Sequence, residues 1–514
     1  MTHITKSSFL LGRQCPRRFW LQAKGVVEPR TEKPSDPFLH DMAARVEEMA
    51  EELFSGCERV VGSHADREAL TPAAMARGTV AQASFRIDDL VAVVDILERR
   101  ADGWFLWEAK ASTADDTEPE VKALFEWDLA FQWHVIAAAG IKVVGAGVVM
   151  LRKAFLCGAA EPTPEHLLLR VDRTDAVRAR LPEVAAKIEA LRGIAKGAEP
   201  EEWPRARCTA NRDAKSGDRP SDCGHLLPTG RCGAQLPATW AGSLPNLRGK
   251  LEARVHEVAN RDIRDLPLDD EEWKWSDVQR LVIDATKSGS PFVDRVALRK
   301  ALDSLRWPVA YVDFEFDTQV AIPRFPGYRP YDSIPFQWAM CIQDHPDAPL
   351  GACRSFLHEE PTDPRRVFAE SLLRDLPAMG SVVVHHIGAE KSVIQRLAEC
   401  LGGPMAVDLR GVVERLADTE KIAKAGYYHP AQLGSWSIKV LAPCLTQRGY
   451  DDLEIQHGMA AVVAWRRLLS LDPSDPERAR LRGWLTDYCG RDAVLMHDVL
   501  QRLRALANDA GPAV

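Results

Sequence analysis

Val312-Asp313-Phe314-Glu315 sets two carboxylates at i and i+2 in a run otherwise made of Val, Ala, Tyr and Phe. In an extended chain such residues share one face. Two acids on a strand of that composition are costly to bury without a cation between them. Near the C-terminus, Tyr488 and Asp492 stand at i and i+4, neighbours on one helix face. Carboxylates gathered this way suit a pair of divalent ions about 4 Å apart, an arrangement that hydrolyses phosphodiesters.

A second set lies in the first third of the chain. Asp95 falls near the end of one apolar run, and Glu108-Ala109-Lys110 lies on the next, across an Asp102-Gly103 turn signal. Glu108 and Lys110 alternate onto one face, and a hairpin in register adds Asp95 to it. Carboxylate oxygens of this kind take Mg²⁺ or Mn²⁺, and the lysine can orient or deprotonate an attacking water. A surface ion pair at a hairpin edge is the plainer reading of the tripeptide alone.

Cysteines make a third set. Cys208, Cys223 and Cys232 fall in a stretch without periodicity, and Cys15 stands alone in Gln14-Cys15-Pro16-Arg17-Arg18. Pro16 is placed to open a helix with Cys15 at its cap. Three thiols and one distant partner can close a tetrahedral zinc site or a cluster, and His225 can replace a thiolate. There is no Cys-x-x-Cys pair, so incidental thiols stay open as an alternative.

These residues need a frame, and 514 residues suggest two domains. A net charge of −8 argues against a protein that coats nucleic acid indiscriminately. It leaves room for an enzyme with a local basic groove. The apolar stretch 135–151 is broken by Gly140, Lys142, Gly145 and Gly147 and reads as a helix end and a buried strand, not a membrane span. No secretion signal is legible, and eleven cysteines are too sparse for a secreted scaffold. A cytoplasmic protein with reduced thiols is expected.

The periodicity predicts a helix over 40–54, strands over 79–87, 90–97 and 104–110, a helix over 121–139 and a strand over 143–151. After a loop over 200–245 and a helical connector, strands are expected over 309–316, 335–342, 353–357 and 381–386, with helices over 364–376, 390–401 and 478–506. The organisation expected is an α/β domain over 1–245, a helical linker over 246–305 and a second α/β domain over 306–508.

The helix–hairpin–helix order around Asp95 and Glu108-Ala109-Lys110 resembles the PD-(D/E)XK nuclease superfamily. That likeness implies a restriction-endonuclease-like core with Asp95 and Glu108 on the metal and Lys110 as catalytic lysine. Gln132 would be the glutamine of RecB-like members, and His40 weakly matches their upstream histidine. One cysteine before the core and three after it resemble the iron–sulfur RecB-like nucleases, including the CRISPR adaptation nucleases. In those, Cys15, Cys208, Cys223 and Cys232 would hold a [4Fe–4S] cluster; the intervals here are expanded, so zinc or an empty site is the alternative. Arg13, Arg17 and Arg18 would then lie near phosphates, unless they form a solvated helix face.

The later acids resemble the DEDD exonucleases of the RNase H-like fold. Asp313 and Glu315 match the first motif, Asp492 the third, and Tyr488 the tyrosine subtype. Glu390 takes the place of the second, where those enzymes carry Asp, and Asp408 is its rival. The runs Ile334-Pro335-Phe336-Gln337, Tyr428-His429-Pro430, Gly434 to Lys439 and Tyr450-Asp451-Asp452-Leu453 resemble a bacterial family joining an iron–sulfur RecB-like nuclease to an RNase H-like exonuclease. Lys439 would contact a phosphate backbone. The likeness implies an Mg²⁺- or Mn²⁺-dependent nuclease acting on nucleic acid, with single-stranded DNA expected because an exonuclease site threads one strand. The rivals are an exoribonuclease and a non-catalytic, nucleic-acid-binding scaffold.

Overall fold

The computed structural model of the chain describes residues 3–28, 36–201, 223–226, 230–258 and 261–509. Two compact units emerge: Met1–Leu236 with Gln319–Asp332, and Pro237–Thr318 with Ser333–Val514. Both are α/β, the class expected from the sequence.

The first unit opens with strand β1 (Ile4–Thr5), helices α1 (Lys6–Gln14) and α2 (Pro16–Ala23), and α3 (Asp36–Glu52). Short β2 (Glu58–Arg59) and α4 (His64–Arg77) lead into the central meander of β3 (Val80–Ile87), β4 (Leu90–Arg100) and β5 (Gly103–Ala114). Helix α5 (Ala123–Ala138) crosses to β6 (Val143–Arg152); α6 (Pro164–Leu167), β7 (Leu168–Asp172), α7 (Thr174–Arg178) and α8 (Leu181–Lys196) complete the body. The sheet order is β2-β3-β4-β5-β6-β7, with β1 joining β4 in parallel.

Alternating Val, Ile and Trp residues form the β4–β5 hairpin, and its turn requires Gly103, where a Cβ would stand 2.6 Å from the Lys142 carbonyl oxygen. Because β5 and β6 are parallel neighbours, the connection must cross the sheet face. That crossing is α5, apolar on nearly every side and buried with Phe9, Val148 and Leu106. Helix α3 covers the opposite face through Met42, Val46 and Ala50.

The second unit begins with α9 (Gly249–Glu257), α10 (Asp277–Ser288), short β8 (Phe292–Val293) and α11 (Arg295–Leu302). Its sheet strands are β9 (Val309–Asp317), β10 (Ile334–Gln343), β11 (Arg354–Leu357), β12 (Ser381–Val384) and β13 (Leu416–Asp418), ordered β11-β10-β9-β12-β13. Helices α12 (Arg365–Asp375), α13 (Gly388–Leu401) and α14 (Gly403–Glu414) pack on one face with Val312, Phe314 and Trp338. The chain then runs through α15 (Thr419–Gly426), β14 (Tyr427–Tyr428), α16 (Ile438–Thr446), α17 (Gly458–Ser470) and the long α18 (Pro476–Asn508). Residues 246–305, expected as a linker, are helical but belong to this compact unit: β8 pairs with β14, and Gly426 O accepts from Asp294 N at 2.8 Å.

Cys341 and Cys353 face each other where β10 meets the chain entering β11, and they form a disulfide. The expectation of uniformly reduced thiols is corrected at this pair. Among the described residues, no helix is long and apolar enough to cross a membrane.

Candidate active sites

In the second unit, β9 is the central strand, and Asp313, Glu315 and Asp317 follow one another on one of its faces. Helix α18 lies against that strand and brings Asp492 to Asp313 and Glu315. Ligand oxygens of these three acids lie within 4.8 Å of one another. The helix is held there partly by Gln337, whose Nε2 donates to Leu485 O at 2.8 Å, and Cys489 Sγ sits 3.5 Å from Asp313 O. Asp317, which sequence reasoning passed over, pairs with Arg466 at 2.6 Å and anchors α17. The N-terminus of α17 consequently reaches the acids: a Cβ on Gly458 would lie 3.5 Å from Glu315 Oε2 and 4.0 Å from the Tyr488 oxygen.

Tyr488 is buried on α18, and Lys439 Nζ donates to its oxygen at 2.9 Å. Lys439, expected at a phosphate backbone, has the phenol oxygen and Gln456 O as acceptors. Its position follows from the preceding turn, where Gly434 N donates to the Tyr428 oxygen at 3.0 Å and Trp436 Nε1 donates to Tyr427 O at 3.1 Å. Tyr450, noted in the sequence only as a family marker, donates its hydroxyl to Asp492 Oδ1.

Glu390 lies in the first turn of α13, buried, with Oε2 lacking a hydrogen-bond partner. It stands outside the tight group of three, yet its charge acts on both Asp313 and Glu315. The turn that delivers it carries His386 at φ 66°, an uncommon conformation for that residue type. Asp418 holds the turn by accepting from His386 N and Ile387 N, each at 3.2 Å. Asp408 is exposed on α14, so the structure does not support it as a ligand.

Burial pushes all four acids up: Asp313 and Glu315 well above the usual carboxylate range with help from Asp492, Asp492 to about 6, and Glu390 to about 7. Such a set is poorly neutralised by the protein itself, and the buried Asp313 Oδ2 also lacks a partner. A hard divalent cation with oxygen preference fits these donors.

In the first unit, antiparallel pairing runs to Ile96 opposite Trp107, so the next step sets Asp95 across from Glu108, as the register argument requires. Ala109 N donates to Asp95 Oδ2 at 2.9 Å. Lys110 Nζ lies 2.6 Å from Glu108 Oε1, and Gln132 Nε2 lies 2.7 Å from Glu108 Oε2. The four residues singled out in the sequence therefore meet.

Two more join them. Asp128, at i−4 from Gln132 on α5, accepts from Gln132 Nε2 at 2.8 Å and from Lys110 Nζ at 3.1 Å. Lys6 Nζ lies 2.6 Å from Glu108 Oε1. The i, i+4 spacing could have revealed Asp128; nothing local marks Lys6. Burial opposes ionisation of Glu108, but Lys110 and Lys6 prevail and hold its carboxyl well below the usual range. Burial and the Glu108 charge push Asp95 the other way. This site is thus ion-paired internally, unlike the acids on β9 and α18.

Cys15 caps α2 as expected, its Sγ accepting from Arg18 N at 3.4 Å. Burial pushes the Cys223 thiol up to about 12 and raises Cys232, and the charge of Cys15 adds to both. His225 is buried nearby with Nδ1 lacking a hydrogen-bond partner. Cys208 lies outside the described residues. The three described thiols do not converge as tightly as the β9–α18 acids. The N-terminal arginines, expected at phosphates, have internal roles: Arg13 lies over Trp127 at 3.9 Å, Arg17 pairs with Glu199 at 2.7 Å, and Arg18 pairs with Glu28 at 2.8 Å. His40 is exposed on α3.

A family model described as a domain of unknown function, DUF2779, matches residues 310–437. The match takes in Asp313, Glu315 and Glu390 and stops before Lys439, Tyr488 and Asp492. No curated protein matches the chain.

Proposed function

We propose that the chain is a metal-dependent nuclease with two separate catalytic centres, hydrolysing phosphodiester bonds of single-stranded DNA. One observation carries the reading: Asp313, Glu315 and Asp492 converge within 4.8 Å while Asp313 Oδ2 lacks any partner. Mg²⁺ or Mn²⁺ bound there would polarise a phosphate and supply a nucleophile at neutral pH. Tyr488, fixed by Lys439, would orient the attacking water, and Gly458 leaves space beside Glu315 for the substrate. Glu390 completes the charge around the site. These features support the resemblance to an exonuclease of the DEDD type.

In the first unit, Asp95 and Glu108 would bind the metal, Lys110 would position water, and Gln132 would hold Glu108 in place. A second reading for this unit alone, nucleic-acid binding without cleavage, is favoured by Glu108 already having Lys6, Lys110 and Gln132 as partners. The thiols around Cys15 are proposed to bind a [4Fe–4S] cluster, to be checked by iron and zinc analysis of anaerobically purified protein. A cytoplasmic location is proposed together with the nucleic-acid substrate.

The test is degradation of end-labelled single-stranded DNA, with RNA as competitor, by wild type, Asp95→Ala, Asp313→Ala and the double variant. Distinct product patterns lost in each single variant, and an inert double variant, are expected. Equal inertness of wild type and double variant on both polymers would sink the reading. Preferential loss of RNA would reassign the substrate.

A further inference from the structure

We propose that Lys6 is a catalytic residue of the first unit, donating a hydrogen bond to a non-bridging oxygen of the phosphate being cleaved. The proposal rests on the nuclease reading of that unit. Two ammonium groups converge on a single carboxylate oxygen: Lys6 Nζ and Lys110 Nζ each lie 2.6 Å from Glu108 Oε1. Both also face Asp128 Oδ2, Lys110 at 3.1 Å and Lys6 at 3.8 Å. One lysine is enough to neutralise one carboxylate, and a second beside it adds like-charge repulsion. With Asp95, Glu108 and Asp128 all buried beside these two ammonium groups, Lys6 is a counter-charge to the acid cluster that also keeps donor capacity.

Lys6 is also held in place. It is the first residue of α1, whose N-cap Thr5 forms a reciprocal box with Ser8: Thr5 N donates to Ser8 Oγ at 2.8 Å and Ser8 N to Thr5 Oγ1 at 3.3 Å. Just before it, Ile4 pairs with Leu90 of β4, and Ile4 N donates to Asp89 O at 2.7 Å. Three residues on, Phe9 stacks on Phe131 at 4.9 Å, on the helix that carries Asp128 and Gln132. A cation in the first turn of a helix also opposes the helix dipole. The fold fixes an unfavourable charge at this spot, next to the acids of the site.

The two lysines differ in what they have left to give. Lys110 has two acceptors at hydrogen-bond distance, Glu108 and Asp128. Lys6 has one, and its side chain is 27% exposed where that of Glu108 is 2%. The N–H groups that Glu108 does not take would serve an incoming phosphate. As water adds to phosphorus and the P–O bond to the leaving oxygen breaks, charge grows on the non-bridging oxygens. A pre-positioned ammonium stabilises that charge. Lys6 keeps its proton throughout; the attacking water gives up a proton to solvent, and the leaving oxygen takes one from solvent.

The test uses full-length protein carrying Asp313→Ala, so that cleavage reports the first unit alone. Lys6→Met and Lys6→Arg are compared there by kcat, by KM for a single-stranded oligonucleotide, by Mn²⁺ affinity from electron paramagnetic resonance, and by Tm. Lys6→Met is expected to lower kcat about 100-fold with KM and Mn²⁺ affinity within about threefold, and Lys6→Arg to recover at least about tenfold of it. An unchanged kcat overturns the proposal. So does a loss that tracks weaker Mn²⁺ binding or a lower Tm and is not rescued by Arg, which makes Lys6 a counter-ion of Glu108 only. If Asp313→Ala is as inert as Asp313→Ala/Asp95→Ala, the nuclease reading of the first unit fails and the proposal falls with it.

Discussion

Lys439 Nζ lies 2.9 Å from the Tyr488 oxygen and 2.5 Å from Gln456 O. The phenol oxygen accepts from the ammonium, so its own hydrogen is left to point elsewhere. Burial, with Glu315 and Asp492 close by, pushes the Tyr488 phenol far up and keeps it protonated. In the proposed mechanism it would act as an orienting donor and acceptor, not as a base. Tyr488→Phe is expected to lower kcat on DNA by about 100-fold and leave Mn²⁺ affinity unchanged. Lys439→Met should give a smaller loss in the same direction, about tenfold. Steady-state kinetics in an Asp95→Ala background check both, and a Tyr488→Phe enzyme of wild-type kcat would remove the phenol from the mechanism.

The acids around Asp313 tie stability to pH and metal. Burial raises Asp492 to about 6 and Glu390 to about 7, and it raises Asp313 and Glu315 as well. Unfolded carboxyls titrate near ~4, so between about pH 4 and 7 the metal-free folded state binds more protons than the unfolded one. The stabilisation from Asp492 and Glu390 is full below about pH 4 and is lost as pH rises through about 6 to 7. Mn²⁺ competes with those protons. In an Asp95→Ala background, where the second unit alone is read, the Tm gain on adding Mn²⁺ should therefore be larger at about pH 7.5 than at about pH 5, and absent once Asp313→Ala is added. Thermal-shift curves with metal and with chelator decide it; a larger gain at the lower pH has the wrong sign.

Glu390→Gln keeps the shape of the side chain and removes its charge. With Oε2 unpartnered and the carboxyl raised to about 7, the variant should melt higher than wild type in chelator at neutral pH. Its Mn²⁺ affinity should fall about tenfold, the scale for a group supporting a metal site. Calorimetric titration beside melting curves checks both, and an unchanged affinity would detach Glu390 from the site.

Glu126 tests the frame of the first unit. It is buried on α5 and takes Arg173 and Arg180, with Nε distances of 3.2 and 3.0 Å. Glu126→Gln should cost about 1–3 kcal/mol of unfolding free energy, read from urea denaturation, with no change in the Mn²⁺ response of the second unit. A cost below about 0.5 kcal/mol would mean the two arginines find water equally good.

Much of this was legible where the signal is local. The Asp102-Gly103 turn and the alternation on either side of it predict the β4–β5 hairpin, and the hairpin brings Asp95 to Glu108. The i, i+2 pair on β9 and the i, i+4 pair on α18 fall on the faces that periodicity assigns them. What was illegible depends on pairings between distant segments. Lys6 meets Glu108 across 102 positions, and Asp317 meets Arg466 across 149. Residues 246–305 read as a connector because their helices are polar outside, yet they pack into the second unit. The arginines beside Cys15 likewise meet distant partners that spacing does not reveal: Arg17 pairs with Glu199 across 182 positions, and Arg18 with Glu28.

The pairing of β1 with β4 also sets an order of events. Ile4 and Thr5 precede their partners Leu90 and Val91 by 86 positions. Until that seam closes, the acids Asp95, Glu108 and Asp128 have Lys110 beside them but not Lys6, and burying all three is less favourable. Assembly of the first unit is therefore governed by a long loop closure, the slow kind of step in folding. Pulse-labelled amide exchange should show Ala109 becoming protected in the same kinetic phase as Ile4, however early the hairpin turn itself has formed.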